Sequence, residues 1–467
     1  MASKETNKKQ SDPVQSEEPG KKKGSLYGLT VRALLILALG YFMVKPYLDR
    51  PKEDDSARQT FKIRGETMGT VWNATIVASP TYLVKLNNEG VVDKSKNGDK
   101  TKAGEGQSED DVVGSCEELL GRLIQRELDK IDGLASTYRA DSEVTLFNRS
   151  KSTEWFAVSE ELAEIVSLAL EVSQKTKGAF DVTVAPLVNL YRFGPNKAPL
   201  VAFPSDEEIN ALRSRVGYDK LEVRLAPTPA LRKAIPDLMI DLSSVAKGYA
   251  VDRVADTLEK AGLTDYLVEI GGEIRCRGKK LDPITNEATK WTLGLQTPEV
   301  VPQGVATTRV PNVYRYVYVD SEDKSAVIAT SGDYHNFIQI GDLRFSHFVD
   351  PRTGLPTEMI NPDDEPDALL GSVSVVANDS STFSCAQADA YATAFFVLGE
   401  KEGVPLADEL GLAVLFLSRS DDAATRITES MSDSFKSAIN SVRADESDSE
   451  SSPQDESKSV KKERDKD

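Results

Sequence analysis

The sequence predicts an α+β fold, with mixed sheets packed against helices, and three observations carry that expectation. Strand-length and helix-length apolar patterns interleave with no regular strand–helix–strand repeat, which argues against a doubly wound parallel sheet. Some strands alternate, as in VYRYVYV at 313–319. One stretch, 238–278, then joins strand, tight turn, helix, strand and a glycine pair in a single unit around which the rest is organised.

Taken in order, residues 1–25 are polar and lysine-rich, a composition that does not fold. Residues 26–44 are apolar apart from Arg32, and Lys21, Lys22 and Lys23 precede them. The positive-inside rule makes 26–45 an uncleaved transmembrane signal anchor with its N-terminus in the cytoplasm. The uncharged part is short for a span of about 20 residues, so Arg32 must snorkel. A cleaved signal peptide is the alternative, but Ala38 and Gly40 lie inside the apolar run. Everything beyond is then extracytoplasmic, on the periplasmic side of the inner membrane. A charged linker follows at 46–60, and a catalytic domain is expected over 61–420. Within it, 61–77 reads as two strands about a turn at Met68-Gly69-Thr70. Residues 85–115 lack apolar periodicity and read as a flexible surface insertion. Leu120, Ile124, Leu128 and Ile131 mark a helix over 117–134, and another spans 159–176. In the organising unit, 238–242 has strand length and Ala246, Ala250, Val254 and Leu258 share one helical face. Gly262 suits a left-handed C-cap. A compact apolar helix over 388–398 ends at Gly399, a final strand covers 412–417, and 438–467 reads as a disordered acidic tail.

Composition narrows the chemistry. The net charge of −18 and the lack of a basic stripe exclude a general nucleic-acid binder. Three scattered cysteines form neither a CxxC site nor a disulfide framework. Only two histidines, His335 and His347, are present, so a multi-histidine metal site is excluded and any metal takes mainly oxygen ligands.

Several side chains stand out locally, each with a structural alternative. Asp241, Ser243, Ser244 and Lys247 sit where a strand hands over to a helix N-terminus, which welcomes an anion; on this alone an ordinary turn capped by Ser243 or Ser244 is the favoured reading. Asp389 and Thr393 are the polar pair, at i and i+4, of an apolar helix, so they are metal ligands or a cap and a back-bonded threonine. His347, followed by Asp350, is a general base or a structural histidine, and Asp333 with His335 poses the same choice. Met68, Tyr138 and Phe180 line a ring-binding site or fill the core.

The motifs TMGT, STYRADSEVTLFN, GAFDVTVAPLV, DLSSVAKGYAVDRV, LVEIGGEIR, ATSGDYHNF, FSHFVDPRTGLP and ADAYATAFFVLG, in that order, resemble the FAD:protein FMN transferases, or ApbE-type flavin transferases. The resemblance implies a cleft that binds FAD as substrate, uses Mg²⁺, and passes FMN to a threonine or serine of an acceptor protein, releasing AMP. The acceptor would be a membrane redox subunit. By motif position, Met68, Tyr138, Ala179, Phe180, Asp181, Asp241, Lys247 and Phe348 would contact FAD. The Ser244 carbonyl, Asp389 and Thr393 would hold the metal. His347 and Asp350 would be catalytic, with Thr353 in the same loop. Ser243-Ser244, the insertion and the acidic tail depart from the family pattern. Competing functions are an Mg²⁺-dependent FAD pyrophosphatase and a non-catalytic flavin-binding protein at the membrane.

Overall fold

The computed structural model describes residues 58–88, 109–196, 198–299, 312–319, 324–333, 336–341, 343–357, 359–360, 369–420 and 426–443. All fall within the unit Glu53–Asp467. The expected anchor at 26–45 and the residues before it lie outside the described residues, as do most of the linker and 444–467. Among the described residues no helix is long and apolar enough to cross a membrane.

An eight-stranded sheet forms the frame, and its strands are neighbours in chain order. They are β1 (Gln59–Thr67), β2 (Thr70–Ala78), β3 (Tyr266–Ile270), β4 (Glu273–Arg277), β5 (Ala326–Gly332), β6 (Leu369–Ala377), β7 (Ala413–Arg419) and β8 (Ile427–Met431). The fold mixes sheets and helices as expected, but within the sheets every pairing described is antiparallel.

The helices are α1 (Pro80–Asn88), α2 (Glu109–Ala135), α3 (Glu143–Arg149), α4 (Glu160–Lys175), α5 (Ala185–Leu190), α6 (Asp206–Arg213), α7 (Ala246–Lys260), α8 (Cys385–Leu410) and α9 (Asp433–Ala438). Residues of α2, α7 and α8 pack on one face of the sheet, where Leu120, Ile124, Val251, Leu258 and Phe395 meet Phe61, Trp72, Val268 and Val373. On the other face a three-stranded sheet of Trp291–Gln296, Val313–Val319 and Ser441–Arg443 contributes Trp291, Leu293 and Val317 to a second core. The two-residue period of β5 divides it between them. Val327 and Ala329 enter the first core, while Ala326 and Ile328 enter the second. A third cluster, with Tyr191, Ile209, Phe345 and Val349, joins α5 and α6 to a small sheet of Phe337–Ile340, Leu343–Ser346 and Met359–Ile360.

Three expectations need correction, and a fourth holds. The insertion expected at 85–115 is helical at both ends: 85–88 belongs to α1, and α2 begins at Glu109 rather than 117. Residues 238–242 form no strand. The Asn148 side-chain amide instead takes both backbone groups of Ile240, each at 2.8 Å, and the Asp241 N–H donates to the Val182 carbonyl at 2.7 Å. Side-chain and loop partners thus satisfy backbone that a neighbouring strand would otherwise pair. Gly399 does end the apolar helix, as expected: its φ of 66° and ψ of 177° are non-helical, and a second helical stretch follows directly to Leu410, the two together making up α8. The domain does not stop at 420: β8, α9 and Ser441–Arg443 complete two sheets, and Phe435 is buried in the second core. Residues 438–443, expected in the tail, are thus part of the fold, and 444–467 lie outside the described residues.

The helix α7, which leads into β3, ends where expected. Gly262 has φ 81°, its N–H bonds Glu259, and that of Leu263 bonds Leu258, a Schellman closure.

Candidate active site

One cleft of about 900 Å³ gathers the residues singled out above. Its volume lies at the large end of the roughly 300–1,000 Å³ range of small-molecule sites, as a dinucleotide requires. Met68, Tyr138, Ala179, Phe180, Asp181, Asp241, Ser244, Lys247, His347, Phe348, Asp389 and Thr393 all line it.

The ring-binding end is built by unusual local chemistry. Met68 and Gly69 form the two-residue turn between β1 and β2, with φ of 47° and 73°, as a type I′ hairpin needs. A methionine in left-handed backbone is costly, and here it sets the thioether at the cleft wall. Tyr138 is 61% exposed, and its hydroxyl donates to the Phe193 carbonyl at 3.2 Å, leaving a ring face toward the opening. Asp181 is occupied by its own turn. It accepts from the Thr183 N–H and hydroxyl at 2.8 and 2.7 Å and from the Tyr218 N–H at 2.7 Å. Burial pushes its carboxyl up, and these bonds oppose that. Asp241 accepts from the Ser243 N–H at 2.9 Å, so the carboxylate organises the turn before α7. No serine side chain caps α7.

At the polar end, Lys247 in the first turn of α7 faces two buried carboxylates. Its Nζ lies 2.8 Å from Glu273 Oε1 and 3.5 Å from Asp389 Oδ1. Asp389 Oδ2 accepts from the Gly248 N–H at 3.0 Å. Asp389 is not the cap of α8. That role belongs to Ser384, which forms a capping box with Gln387. The Thr393 hydroxyl meets Ser331 at 3.3 Å rather than bonding back along the helix. Burial lowers the Lys247 pKa, but the charges of Asp389 and Glu273 outweigh it and hold the ammonium protonated. Burial and the Asp389 charge push the Glu273 carboxyl upward, and the Lys247 ammonium at 2.8 Å opposes both by favouring the carboxylate.

His347 stands on the opposite wall, its ring 4.1 Å from that of Phe348, which stacks at 4.0 Å on Phe396 of α8. Nδ1 lies 2.9 Å from the Asn336 carbonyl, which only accepts. The proton therefore sits on Nδ1, and Nε2 is left as the acceptor. Desolvation pushes this imidazole from the ordinary 6.5 down to about 4, so it is neutral at pH 7. Asp350 and Thr353 do not line the cleft. Asp350 is forked by Arg352, with bonds of 2.8–3.2 Å to its N–H, Nε and Nη2, and Thr353 accepts from the Leu355 N–H. They shape the turn behind His347. Asp333 is likewise structural, buried against Arg419, whose Nη1 is 2.6 Å from Oδ1. His335 lies outside the described residues.

The chain matches the ApbE family over residues 68–416. It belongs to that family. It is 34% identical to the FAD:protein FMN transferase of Vibrio cholerae serotype O1 over 86% of this chain and 97% of the relative. It is 32% identical to the FAD:protein FMN transferase of Escherichia coli K12, over 87% and 97%. Among solved structures, the flavin transferase ApbE from Vibrio cholerae aligns with a TM-score of 0.59, at 33% identity, over 81% of this chain and 99% of that one.

Within this member of the ApbE family, sequence reasoning overlooked Glu273, Ser331, Asn336 and Phe193. Glu273 carried a signal: it follows Gly271-Gly272 and shares a strand face with Arg275, two charges at a two-residue period beside a glycine turn. The other three act through polar or ring contacts with distant segments that no local pattern marks.

Proposed function

We propose that this protein transfers the FMN half of FAD to a threonine or serine hydroxyl of an acceptor protein. The observation that carries the reading is one cleft holding a neutral imidazole on one wall and an oxygen-rich, lysine-bearing helix junction on the other. The pyrophosphate of FAD would lie between the turn at Asp241–Lys247 and Asp389 with Thr393, its rings toward Met68, Tyr138 and Phe180.

The acceptor oxygen attacks the FMN phosphorus. A new O–P bond forms as the pyrophosphate O–P bond breaks, and AMP leaves with that electron pair. His347 Nε2 takes the hydroxyl proton and releases it to solvent. The residues fit a divalent cation by donor chemistry. Asp389 offers a carboxylate, Thr393 a hydroxyl and Ser244 a backbone carbonyl, the hard oxygens Mg²⁺ prefers. Among the described residues no group of three or more His, Cys, Asp and Glu could hold a metal ion, so a cation here would rely on one carboxylate, a hydroxyl and a backbone carbonyl. When bound, Mg²⁺ would neutralise charge on the phosphoryl oxygens. Lys247 adds a fixed cation at the same place.

Location belongs to the same proposal. The Lys21–Lys23 and Arg32 bias supports a membrane anchor at 26–45, with the catalytic unit on the periplasmic side and a membrane redox subunit as acceptor. Reporters fused after residue 45 should work only outside the cytoplasm; activity confined to the cytoplasm would overturn it.

The deciding assay is mass spectrometry of an acceptor bearing a Ser/Thr-Gly-Ala-Thr-type target, incubated with FAD, Mg²⁺ and protein. An acceptor heavier by one FMN, matched by AMP, is expected. Free FMN and AMP with an unlabelled acceptor would move the protein to the pyrophosphatase reading, and no turnover with intact FAD binding to the non-catalytic one.

A further inference from the structure

The Glu273 side chain is only 3% exposed, yet its carboxylate is only half satisfied. Oε1 accepts from Lys247, while Oε2 is buried with no hydrogen-bond partner among the described residues. A buried acceptor without a donor is unfavourable and rarely retained without reason. The residue starts β4 immediately after Gly271 and Gly272, both with left-handed φ, so a tight hairpin aims it into the cleft. Its one partner, Lys247, is shared: the ammonium also reaches toward Asp389 at 3.5 Å. One cation thus serves two buried acids, one of which is the carboxylate assigned above to Mg²⁺.

We infer that Glu273 is a positioning residue that draws Lys247 off Asp389 and so opens Asp389 to the divalent cation. An ammonium has three donors. Once a cation occupies Asp389, Lys247 is repelled from it and is free to turn a second N–H to the empty Oε2. The half-satisfied carboxylate is completed at the moment the metal arrives, and Lys247 stays in the cleft as a positive charge facing the pyrophosphate. Without the Glu273 charge the ammonium settles on Asp389 and competes with the metal. This inference rests on the assignment of Asp389 to Mg²⁺.

Mg²⁺ binding to the full-length protein, followed by calorimetry with and without FAD, tests it. Glu273→Gln keeps shape and an acceptor oxygen but removes the charge. Its Mg²⁺ dissociation constant should rise about 10- to 100-fold, as for other residues that orient a metal ligand. Glu273→Asp should recover much of the loss. In a Lys247→Met background the same Glu273→Gln change should cost little, because the competitor is gone. Equal Mg²⁺ affinity in wild type and Glu273→Gln, or the same loss in both backgrounds, overturns the inference. If Glu273→Gln does not fold, Lys247→Met alone decides: Mg²⁺ should bind more tightly while FAD weakens, and weaker or unchanged Mg²⁺ binding overturns it. Asp389→Asn is the control for the underlying assignment. If that variant binds Mg²⁺ as wild type does, the metal assignment itself has failed, whatever Glu273 does.

Discussion

His347 illustrates how a single side chain is prepared. The Asn336 carbonyl fixes the proton on Nδ1, and packing against Phe348 removes the water that would stabilise an imidazolium. A lowered pKa makes the base weaker but keeps it unprotonated. If His347 takes the acceptor proton, His347→Ala should cut transfer by about a hundred- to ten-thousand-fold while FAD affinity changes little. The sign of the pH effect follows from the direction of the shift. A depressed histidine pKa means that the neutral, active form persists as pH falls. kcat/KM, measured from pH 8 down to pH 4 with buffers held at one ionic strength, should stay level through the ordinary histidine range. It should decline only toward about 4. An acid limb centred near 6.5 would show that a different, solvated group governs the rate.

At the scale of elements, the junction of α7 and α8 matters most. Gly248 allows the two helices to touch: a Cβ there would sit 2.4 Å from the Cys385 carbonyl oxygen and 2.8 Å from the Asp389 Cβ. Backbone cannot retreat as a flexible side chain can. Gly248→Ala should therefore cost about 1–3 kcal/mol in thermal or denaturant unfolding, through overpacking. It should also lower turnover by displacing Asp389. A variant with wild-type stability and activity would show that the junction is looser than this packing implies. The same junction marks the limit of sequence reading. Asp389 and Thr393 were legible because two polar residues shared one face of an apolar helix. The apolar reading from 388 passed over the capping box Ser384–Gln387, a serine followed three residues later by glutamine, which starts α8 one turn earlier. What could not be read were contacts between distant segments. Nothing near 238–242 announces that Asn148 will occupy its backbone, and nothing near Glu273 announces Lys247.

For the whole molecule, the C-terminal segment is a structural part of the domain. β8 covers the edge of β7, whose residues are all buried, and Phe435 fills the second core. Truncation after Ser420 should uncover that edge and remove a side chain whose burial alone is worth about 1.5–3 kcal/mol. Truncation after Arg443 should be silent by comparison. Size-exclusion profiles and melting temperatures of the two proteins make the comparison, and a monodisperse, equally stable short form would refute it.

The chain-order arrangement of the large sheet has a consequence for how the protein is made. β1 and β2 emerge together, but the next strand, β3, follows only after residues 79–265. A lone hairpin is marginal in water. What can shelter it during synthesis is the segment that comes next, for Gln125 of α2 accepts from the Trp72 indole at 3.0 Å and Leu120 and Ile124 of α2 share a core with Phe61. The nascent chain thus has a provisional lid for its first two strands long before the rest of the sheet exists. Docking of β3 then closes a frame whose far half has still to be translated.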